Sequence, residues 1–241
     1  MDGLSLGENE HAAALALRYG QLWGEALLGP MIRSEFRGRI ALVSSFGAEA
    51  AVLLHMVAAI APATPVLFLD TGKHFGETLR YRDALVARLG LKDVRSLAPD
   101  AAMMAISDPD GMLWRRDPDA CCAARKVAPL AAALKPFAAW ITGRKRHHGG
   151  ARRALPVIEA AGGRIKINPL ASRSAADIAA EFAARDLPPH PLVADGFRSI
   201  GCMPCTARIA AAAEPRSGRW PGLARTECGI HLECAAGRPE P

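Results

Sequence analysis

The six cysteines of this 241-residue sequence are the residues best suited to chemistry. Cys202 and Cys205 form a C-x-x-C pair, a spacing that lets one turn direct two thiolates at one metal centre. Cys121 and Cys122 supply two more sulfur atoms, but adjacent side chains diverge, so a shared centre requires a distorted helix end. The four cysteines together predict a metal site. At this level of argument an iron–sulfur cluster and a structural zinc are both open.

Simpler interpretations of these cysteines exist. The adjacent pair fits two small buried hydrophobic residues, and the C-x-x-C fits a redox dithiol. A redox dithiol is favoured at a helix start in a thioredoxin-like context, which the sequence does not supply. Two further cysteines, Cys228 and Cys234, lie in a stretch rich in Gly, Pro and Arg. We interpret Cys234 as incidental.

The elements that must position these residues are short apolar strands alternating with helices. Strands are predicted at 40–43, 66–69, 94–97, 138–142 and 164–167, and helical stretches over most of the first 30 residues, 48–60, the stretch ending at 89, and 121–134. This alternation predicts an α/β fold with a doubly wound, mostly parallel sheet. The polar turns 44–47 and 70–72 follow strands directly, where such sheets bind ligands.

We divide the chain into three parts on this basis. Residues 1–36 are an N-terminal helical segment, 37–205 an α/β nucleotide- and cluster-binding domain, and 206–241 a flexible C-terminal tail. The N-terminus lacks the pattern of a signal peptide, and no stretch approaches the ~20 apolar residues of a membrane span. We therefore expect a soluble, cytoplasmic protein.

Composition and charge narrow the function further. Hydrophobic residues make up 50% and charged residues 22% of the chain, which argues against wholesale disorder. The net charge of +6 is concentrated at 115–116, 125–126, 143–153 and around 216–219. Such clusters suit a polyanion such as RNA or a small, densely charged anionic substrate.

Three motifs resemble the bacterial assimilatory adenosine 5′-phosphosulfate reductases, within the wider phosphoadenylyl-sulfate reductase family. They are CCxxRKV at 121–127, SIGCMPCT at 199–206 and ECGIH at 227–231. Segments 44–50, 68–83, 141–146 and 166–172 support the resemblance, which runs from Ser44 to His231. In many relatives an Asp-Gln pair stands where this chain has His147 and His148.

The resemblance implies a fold of the adenine nucleotide α-hydrolase-like type. It implies a 4Fe–4S cluster on Cys121, Cys122, Cys202 and Cys205, a set typical of enzymes acting on adenosine 5′-phosphosulfate rather than its 3′-phosphorylated form. Cys228 is then the nucleophile that forms an S-sulfocysteine and expels AMP, and external thioredoxin releases sulfite. We expect no membrane or nucleic-acid partner, and the oligomeric state is open.

Ten positions are expected to contact the substrate. Hydroxyl and backbone N–H groups of the turn after the first strand can bind an oxyanion at a helix start, although an ordinary polar turn is the alternative. The resemblance adds residues beside the adenosine, a lysine between cluster and substrate, and guanidinium groups that clamp oxyanions. The ten are Ser44, Ser45, Gly47, Leu69, Thr71, Lys126, Gly143, Arg153, Arg216 and Arg219. Arg144 is a weaker candidate, equally consistent with a solvated surface charge.

Three other functions are alternatives to the one that the resemblance implies. A reductase of the 3′-phosphorylated substrate shares most of the motifs. A cluster-containing ATP pyrophosphatase that thiolates tRNA would explain the basic surface, but the turn at 44–47 lacks the S-G-G-x-D-S pattern of such enzymes. A zinc-stabilised nucleic-acid-binding module is disfavoured because two tyrosines and four tryptophans offer little stacking surface.

Overall fold

The computed structural model describes residues 3–223, 225 and 227–231. Within these residues six strands form one sheet in the order β3-β2-β1-β4-β6-β5. The strands are β1 (Ile40–Ser44), β2 (Val66–Leu69), β3 (Val94–Leu97), β4 (Ala139–Ile141), β5 (Ile158–Ala160) and β6 (Ile165–Ile167). All neighbours pair in parallel except β5, which runs antiparallel to β6. The predicted α/β class with a mostly parallel sheet is confirmed.

The helices connect these strands and flank the sheet. They are α1 (Gly3–Tyr19), α2 (Gly24–Pro30), α3 (Ala50–Ile60), α4 (Gly76–Leu89), α5 (Ala101–Ser107), α6 (Leu113–Arg116), α7 (Pro118–Cys122), α8 (Ala128–Ala133) and α9 (Ala175–Ala184). Two π-helical segments occur, Met31–Glu35 after α2 and Ala123–Val127 between α7 and α8. None of the helices within the described residues combines the length and hydrophobicity needed to span a lipid bilayer.

The central strands bury both faces, and their side chains alternate between two cores. Leu42 and Phe68 point into the larger core, where helices α1 to α4 and α9 contribute apolar side chains. Ala41, Leu67 and Trp140 point into the smaller core, which α8 covers. Helices on both faces of the sheet make the fold doubly wound.

The strand order places a crevice between β1 and β4. The chain runs outward from β1 through β2 to β3, and then returns to the opposite side of β1 to form β4. The loops that follow β1 and β4 therefore diverge to opposite faces, which leaves a binding crevice at the carboxyl ends of these two strands. Ser44 ends β1, and Thr142 and Gly143 follow β4 directly.

Four elements of the described structure were missed from the sequence: β5, α9 and the short helices α5 and α6. Strand β5 has only three residues, with Glu159 at its centre, so it shows no apolar run. Helix α9 is alanine-rich, but Ser174 and Asp177 form a capping box at its start, a pattern that marks a helix N-terminus. Strand β5 therefore depends on a tertiary contact, its pairing with β6, whereas α9 carries a local signal in its capping box.

The described part of the C-terminal segment packs against the body of the protein. Thr206 pairs with Arg219 in an isolated antiparallel bridge, and the turn Gly229–His231 packs on the π-helical segment Ala123–Val127. The proposed boundaries at residues 36 and 205 stay predictions. Cys234 lies outside the described residues.

His190 is a buried histidine that joins the segment after α9 to α4. Its side chain is fully buried, Leu192 N–H donates to Nδ1 over 3.2 Å, and Nε2 lies 3.0 Å from Thr78 Oγ1. Because Nδ1 accepts a hydrogen bond, Nε2 carries the proton of the neutral ring. Burial lowers the pKa of His190 to about 4.

This pKa predicts a loss of stability in mild acid. Between pH 6.5 and 4 the unfolded histidine binds a proton that the folded one does not, so protonation favours unfolding. Because of His190, the unfolding free energy at pH 5 should be about 2 kcal/mol lower than at pH 7.5. His190→Asn retains an acceptor for the Leu192 N–H but has no group that titrates in this range. Its unfolding free energy, measured with urea, should therefore fall less than that of the wild type between pH 7.5 and pH 5. His11→Asn, at an exposed position of α1, is the control. Equal pH slopes for wild type and His190→Asn would contradict the prediction.

Candidate functional site

The turn after β1 is fixed by a buried aromatic residue. Phe46 has φ of 47°, in the left-handed region, and its ring packs edge-on against Phe68 with centroids 5.5 Å apart. The Phe46 N–H donates to Ser44 Oγ over 3.2 Å. Gly47 is required because a Cβ there would lie 2.9 Å from the Ile200 carbonyl oxygen. The anchored aromatic ring leaves Ser45 exposed at the rim of the crevice.

The crevice between β1 and β4 is the larger cavity of the site. Most residues predicted to contact a substrate line it, together with the proposed nucleophile: Ser44, Ser45, Gly47, Leu69, Lys126, Gly143, Arg216, Arg219 and Cys228. It is open to solvent and is walled by basic side chains on the β4 side and by the C-terminal segment. We call it the main cavity.

Two of the ten predicted positions lie elsewhere in the described structure. Arg153 is exposed, whereas its neighbour Arg152 is buried and lines the main cavity. Thr71 lines a second, smaller cavity, where its Oγ1 lies 3.2 Å from Cys202 Sγ. Two adjacent arginines cannot be distinguished by sequence, because a short 3-10 turn at 150–152 decides which one points inward. Arg144 is buried in the main cavity wall, so a solvated surface charge is excluded for it.

The smaller cavity brings the four predicted ligands together. Cys121, Cys122, Cys202 and Cys205 all line it, with Pro118 and Trp114 at its side. We call it the cysteine cavity. Cys121, Cys122 and Cys202 are buried and Cys205 is partly buried, and all four are free thiols. Four thiols facing a small, largely apolar space form a donor set that suits a soft metal centre.

Local sequence explains how the adjacent cysteines reach one cavity. Asp117 caps α7 by accepting from the N–H groups of Asp119 and Ala120 at 3.0 and 2.9 Å, and Pro118 occupies the first turn. Cys121 and Cys122 end this short helix, and the widened π-helical segment Ala123–Val127 follows at once. This is the helix distortion that the adjacent pair required, and π-helical turns are frequent at functional sites.

A buried ion pair between Arg125 and Asp108 lies next to the cysteine cavity. Arg125 donates to Asp108, whose carboxylate is fully buried, and to the Thr71 carbonyl oxygen over 2.8 Å. The Asp108 carboxylate also accepts from Leu113 N–H over 2.7 Å. Burial alone would raise the pKa of Asp108, but the hydrogen bonds and charge of Arg125 outweigh burial and lower it. The pair ties the turn after β2 to α6 and to the π-helical segment.

Lys126 lies between the two cavities and lines both. Burial lowers its pKa, but the electrostatic interaction with Cys202, Cys228 and Cys122 outweighs burial, so the pKa of Lys126 is raised and the ammonium persists. In the metal-free protein, burial and the neighbouring Cys122 raise the pKa of Cys121 to about 11. Lys126 is thus a cation close to both the predicted cysteine ligands and the proposed nucleophile.

Trp220 positions the two arginines of the C-terminal segment. It is buried with φ of 51°, and the guanidinium groups of Arg219 and Arg216 lie 4.6 and 5.6 Å from its ring centroid. Arg219 reaches the backbone of the cysteine turn, and a Cβ at Gly201 would lie 2.3 Å from its guanidinium. Burial lowers the pKa of Arg216 to about 10, which leaves it charged at neutral pH.

His231 closes the inner wall of the main cavity. Its ring stacks on Trp140, with centroids 6.1 Å apart and planes within 4°. Burial and the nearby cations Lys166 and Arg144 hold the pKa of His231 well below its ordinary value, so the ring is neutral. It presents a polar edge to the cavity without adding charge.

Glu49, His147 and His148 form a second group with metal-ligand chemistry. One ligand atom from each lies within 4.8 Å of the others, so the structure supplies a third candidate ligand beside the histidine pair. However, the Lys145 ammonium lies 2.8 Å from Glu49 Oε2. Burial raises the pKa of Glu49, but Lys145 and both histidines outweigh burial and hold it well below its usual range. Because the ammonium already neutralises this carboxylate, the group is better suited to hydrogen bonding than to cation binding.

Comparison with known proteins finds a matching family profile and similar sequences over most of the chain. A profile of the phosphoadenosine phosphosulfate reductase domain matches residues 39–208. The adenosine 5′-phosphosulfate reductase of Chelativorans sp. (strain BNC1) is 53% identical over 222 residues, covering 92% of this chain and 91% of that protein. The phosphoadenosine 5′-phosphosulfate reductase of Gloeobacter violaceus is 40% identical over 225 residues, covering 90% and 92%.

A solved structure gives the same result for the fold. The crystal structure of phosphoadenylyl-sulfate reductase from Candida auris, a phosphate complex, superimposes with a TM-score of 0.68 at 26% identity, covering 82% of this chain and 97% of that chain. The predicted fold of the adenine nucleotide α-hydrolase-like type is therefore confirmed.

The support of the cysteine cavity by Asp108 can be tested directly. Asp108→Asn leaves the buried Arg125 without a counter-charge, and breaking a buried ion pair costs about 3–5 kcal/mol. Urea unfolding of anaerobically purified protein should show this loss. Asp110→Asn removes an exposed ion pair with Arg116 and should change stability little. Equal effects of the two substitutions would contradict a special role for the buried pair.

Proposed function

Because the chain belongs to the phosphoadenosine phosphosulfate reductase family, we propose that it reduces adenosine 5′-phosphosulfate to sulfite and AMP in sulfate assimilation. The observation that carries this proposal is the main cavity, in which an oxyanion-binding turn, several guanidinium groups and one thiol meet. A doubly charged phosphosulfate needs such cations, and a sulfuryl group transferred to the protein needs a nucleophile.

The proposed chemistry begins at Cys228. Its thiolate attacks the sulfate sulfur, the bond between that sulfur and the bridging oxygen breaks, and AMP leaves with the electron pair. The product is an S-sulfocysteine. Arg216, Arg219 and Lys126 line the cavity around this thiol and are suited to stabilising charge on the phosphosulfate oxygens. Ser44 and Ser45 offer hydroxyl groups at the opposite wall.

Release of sulfite requires a second thiol. A donor thiolate attacks Cys228 Sγ, sulfite departs with the sulfur–sulfur bonding pair, and a second donor thiol resolves the mixed disulfide. The donor dithiol is oxidised by two electrons and the sulfate sulfur is reduced by two. The other described cysteines line the cysteine cavity and are assigned to the metal centre, so we propose an external dithiol of the thioredoxin type. A dithiol reductant implies a reducing compartment, which supports a cytoplasmic location.

We assign a 4Fe–4S cluster to the cysteine cavity. The four thiols Cys121, Cys122, Cys202 and Cys205 match the Cys₄ donor set of such clusters. When bound, the cluster would supply a local charge that shapes the field at Lys126 and the neighbouring substrate site. Thr71, with its hydroxyl 3.2 Å from Cys202 Sγ, would then serve the cluster surroundings rather than the adenosine.

The 3′-phosphorylated substrate is the second candidate. It is favoured by the Gloeobacter violaceus relative, whose name specifies that compound. The relative with the higher identity, from Chelativorans, is named for adenosine 5′-phosphosulfate, which lacks the 3′-phosphate, as the cysteine set also predicts. The ATP pyrophosphatase alternative has weaker support, because the turn at 44–47 lacks the expected phosphate-loop pattern.

Sulfite formation tests the reaction and the nucleophile together. Anaerobically purified protein with thioredoxin should release sulfite from adenosine 5′-phosphosulfate, and Cys228→Ser should abolish release, because a serine hydroxyl is a far weaker nucleophile. Cys234→Ser is the matched control and should retain activity. Undiminished sulfite from Cys228→Ser would disprove the mechanism. A clear preference for the 3′-phosphorylated compound would change the assigned substrate, and release of pyrophosphate from ATP would favour the pyrophosphatase.

Iron analysis and visible absorption test the cluster separately. The anaerobic protein should be brown and contain about four iron atoms per chain. Cys205→Ser should lose most of this iron and absorbance, whereas Cys234→Ser should lose none. A colourless protein with one bound zinc per chain would overturn the cluster assignment and leave the cysteine cavity as a structural zinc site.

A further inference from the structure

The residue immediately before the proposed nucleophile is held by a buried ion pair. We propose that Glu227, Arg152, His148 and Glu49 form a latch that positions the Cys228 thiol in the main cavity. None of the four touches the reacting atoms in this scheme, so they are positioning residues. The proposal rests on the function proposed above for Cys228.

The first contact of the latch joins Glu227 to Arg152. The Glu227 side chain is buried, with 7% of its residue surface exposed. Its Oε2 accepts a hydrogen bond from Arg152 Nη2 over 2.8 Å, and its Oε1 accepts one from Arg152 Nε. Arg216 adds a second positive group, with Nη2 3.7 Å from Oε2. Burial raises the pKa of Glu227, but Arg152 outweighs burial and lowers it, so the carboxylate is ionised. A two-point contact fixes direction as well as distance.

The second contact fixes Arg152 from its other side. Arg152 Nη1 lies 3.2 Å from His148 Nδ1, and an arginine can only donate. His148 Nδ1 is therefore the acceptor, and the ring proton sits on Nε2, which donates to Glu49 Oε2 over 3.0 Å. Burial lowers the pKa of His148 to about 4, so this neutral tautomer is present at physiological pH. The histidine transmits a defined hydrogen-bond direction from Glu49 to Arg152.

The third contact anchors the latch to the sheet. Glu49 accepts from the buried Lys145 ammonium over 2.8 Å, and the same ammonium donates to the Gly143 carbonyl oxygen over 3.0 Å. Glu49 directly precedes α3 and follows the turn after β1, while Gly143 follows β4. The chain of contacts thus begins at the rigid ends of β1 and β4 and ends one residue before Cys228.

This geometry gives Arg152 a different role from the other arginines of the cavity. Its Nε and Nη2 are both directed at Glu227 and its Nη1 at His148, so the edge that binds oxyanions is already occupied. Arg152 therefore acts on the C-terminal segment, whereas Arg216 and Arg219, which also line the main cavity, are the arginines proposed to bind the substrate oxyanions.

The test measures how often the Cys228 thiol becomes accessible. Cluster-loaded, anaerobic protein is treated with iodoacetamide, and alkylation of the Cys228 peptide is followed by mass spectrometry across pH. The rate at the high-pH plateau reports opening of the segment, independently of the thiol pKa. Glu227→Gln and Arg152→Gln should each raise this plateau about tenfold, because each removes a charge-assisted contact. The double variant should show no further increase, since both changes break the same contact.

Conservative variants separate positioning from general damage. His148→Gln can still accept from Arg152 and donate to Glu49, so it should stay close to wild type, whereas His148→Ala should raise the plateau. Glu227→Asp keeps the charge but shortens the side chain, and it should also raise the plateau. His55→Ala is the matched control, because it removes a remote histidine that accepts from Arg185 over 3.1 Å. Near-native circular dichroism and unfolding midpoints would show that the variants remain folded.

Kinetics complete the experiment. The latch predicts a lower kcat with little change in KM for adenosine 5′-phosphosulfate in Glu227→Gln. An unchanged alkylation plateau in Glu227→Gln, with a raised KM in Arg152→Gln, would overturn the latch and make Arg152 a substrate ligand. If the wild-type protein forms no sulfite, the proposed function fails, but the alkylation rates still decide whether the latch exists.

Discussion

Burial of several positive charges around one crevice is the constraint on which the rest of the site depends. Arg144, Lys145, Arg152 and Lys166 are each less than a tenth exposed, and an unpaired buried charge would be prohibitively costly. Three carboxylates offset them: Glu49 for Lys145, Glu159 for Arg144 and Lys166, and Glu227 for Arg152. An anionic ligand enters a cavity whose cations are already held in place, so little reorganisation is needed on binding.

The same pairing joins parts of the chain that are distant in sequence. Glu227 lies near the C-terminus and Arg152 follows β4, yet their contact is buried. Asp108 and Arg125 form a similar buried ion pair between distant segments next to the cysteine cavity. Lys126 lines both cavities. The proposed nucleophile, the proposed cluster ligands and the cations therefore share one scaffold.

Much of the architecture follows from local pattern. Buried parallel strands require short apolar runs, and all five predicted strands agree with the structure within one residue at each end. Strand β5 was missed because pairing with β6, rather than its own three residues, makes it a strand. The cysteine spacing predicted that all four sulfur ligands converge, and the π-helical segment after Cys122 is the distortion that adjacency demanded.

The sequence by itself determined the chemistry that the protein carries: the cysteine set, the basic segments, and the turns that follow apolar strands. The tertiary structure decided which of these groups face each other. It placed Arg152 rather than Arg153 in the cavity, turned Thr71 toward Cys202, and brought Glu49 to His148. Residue types and spacing specify local conformation and reactivity. Which buried charges meet depends on packing between segments far apart in the chain, and no local pattern encodes that.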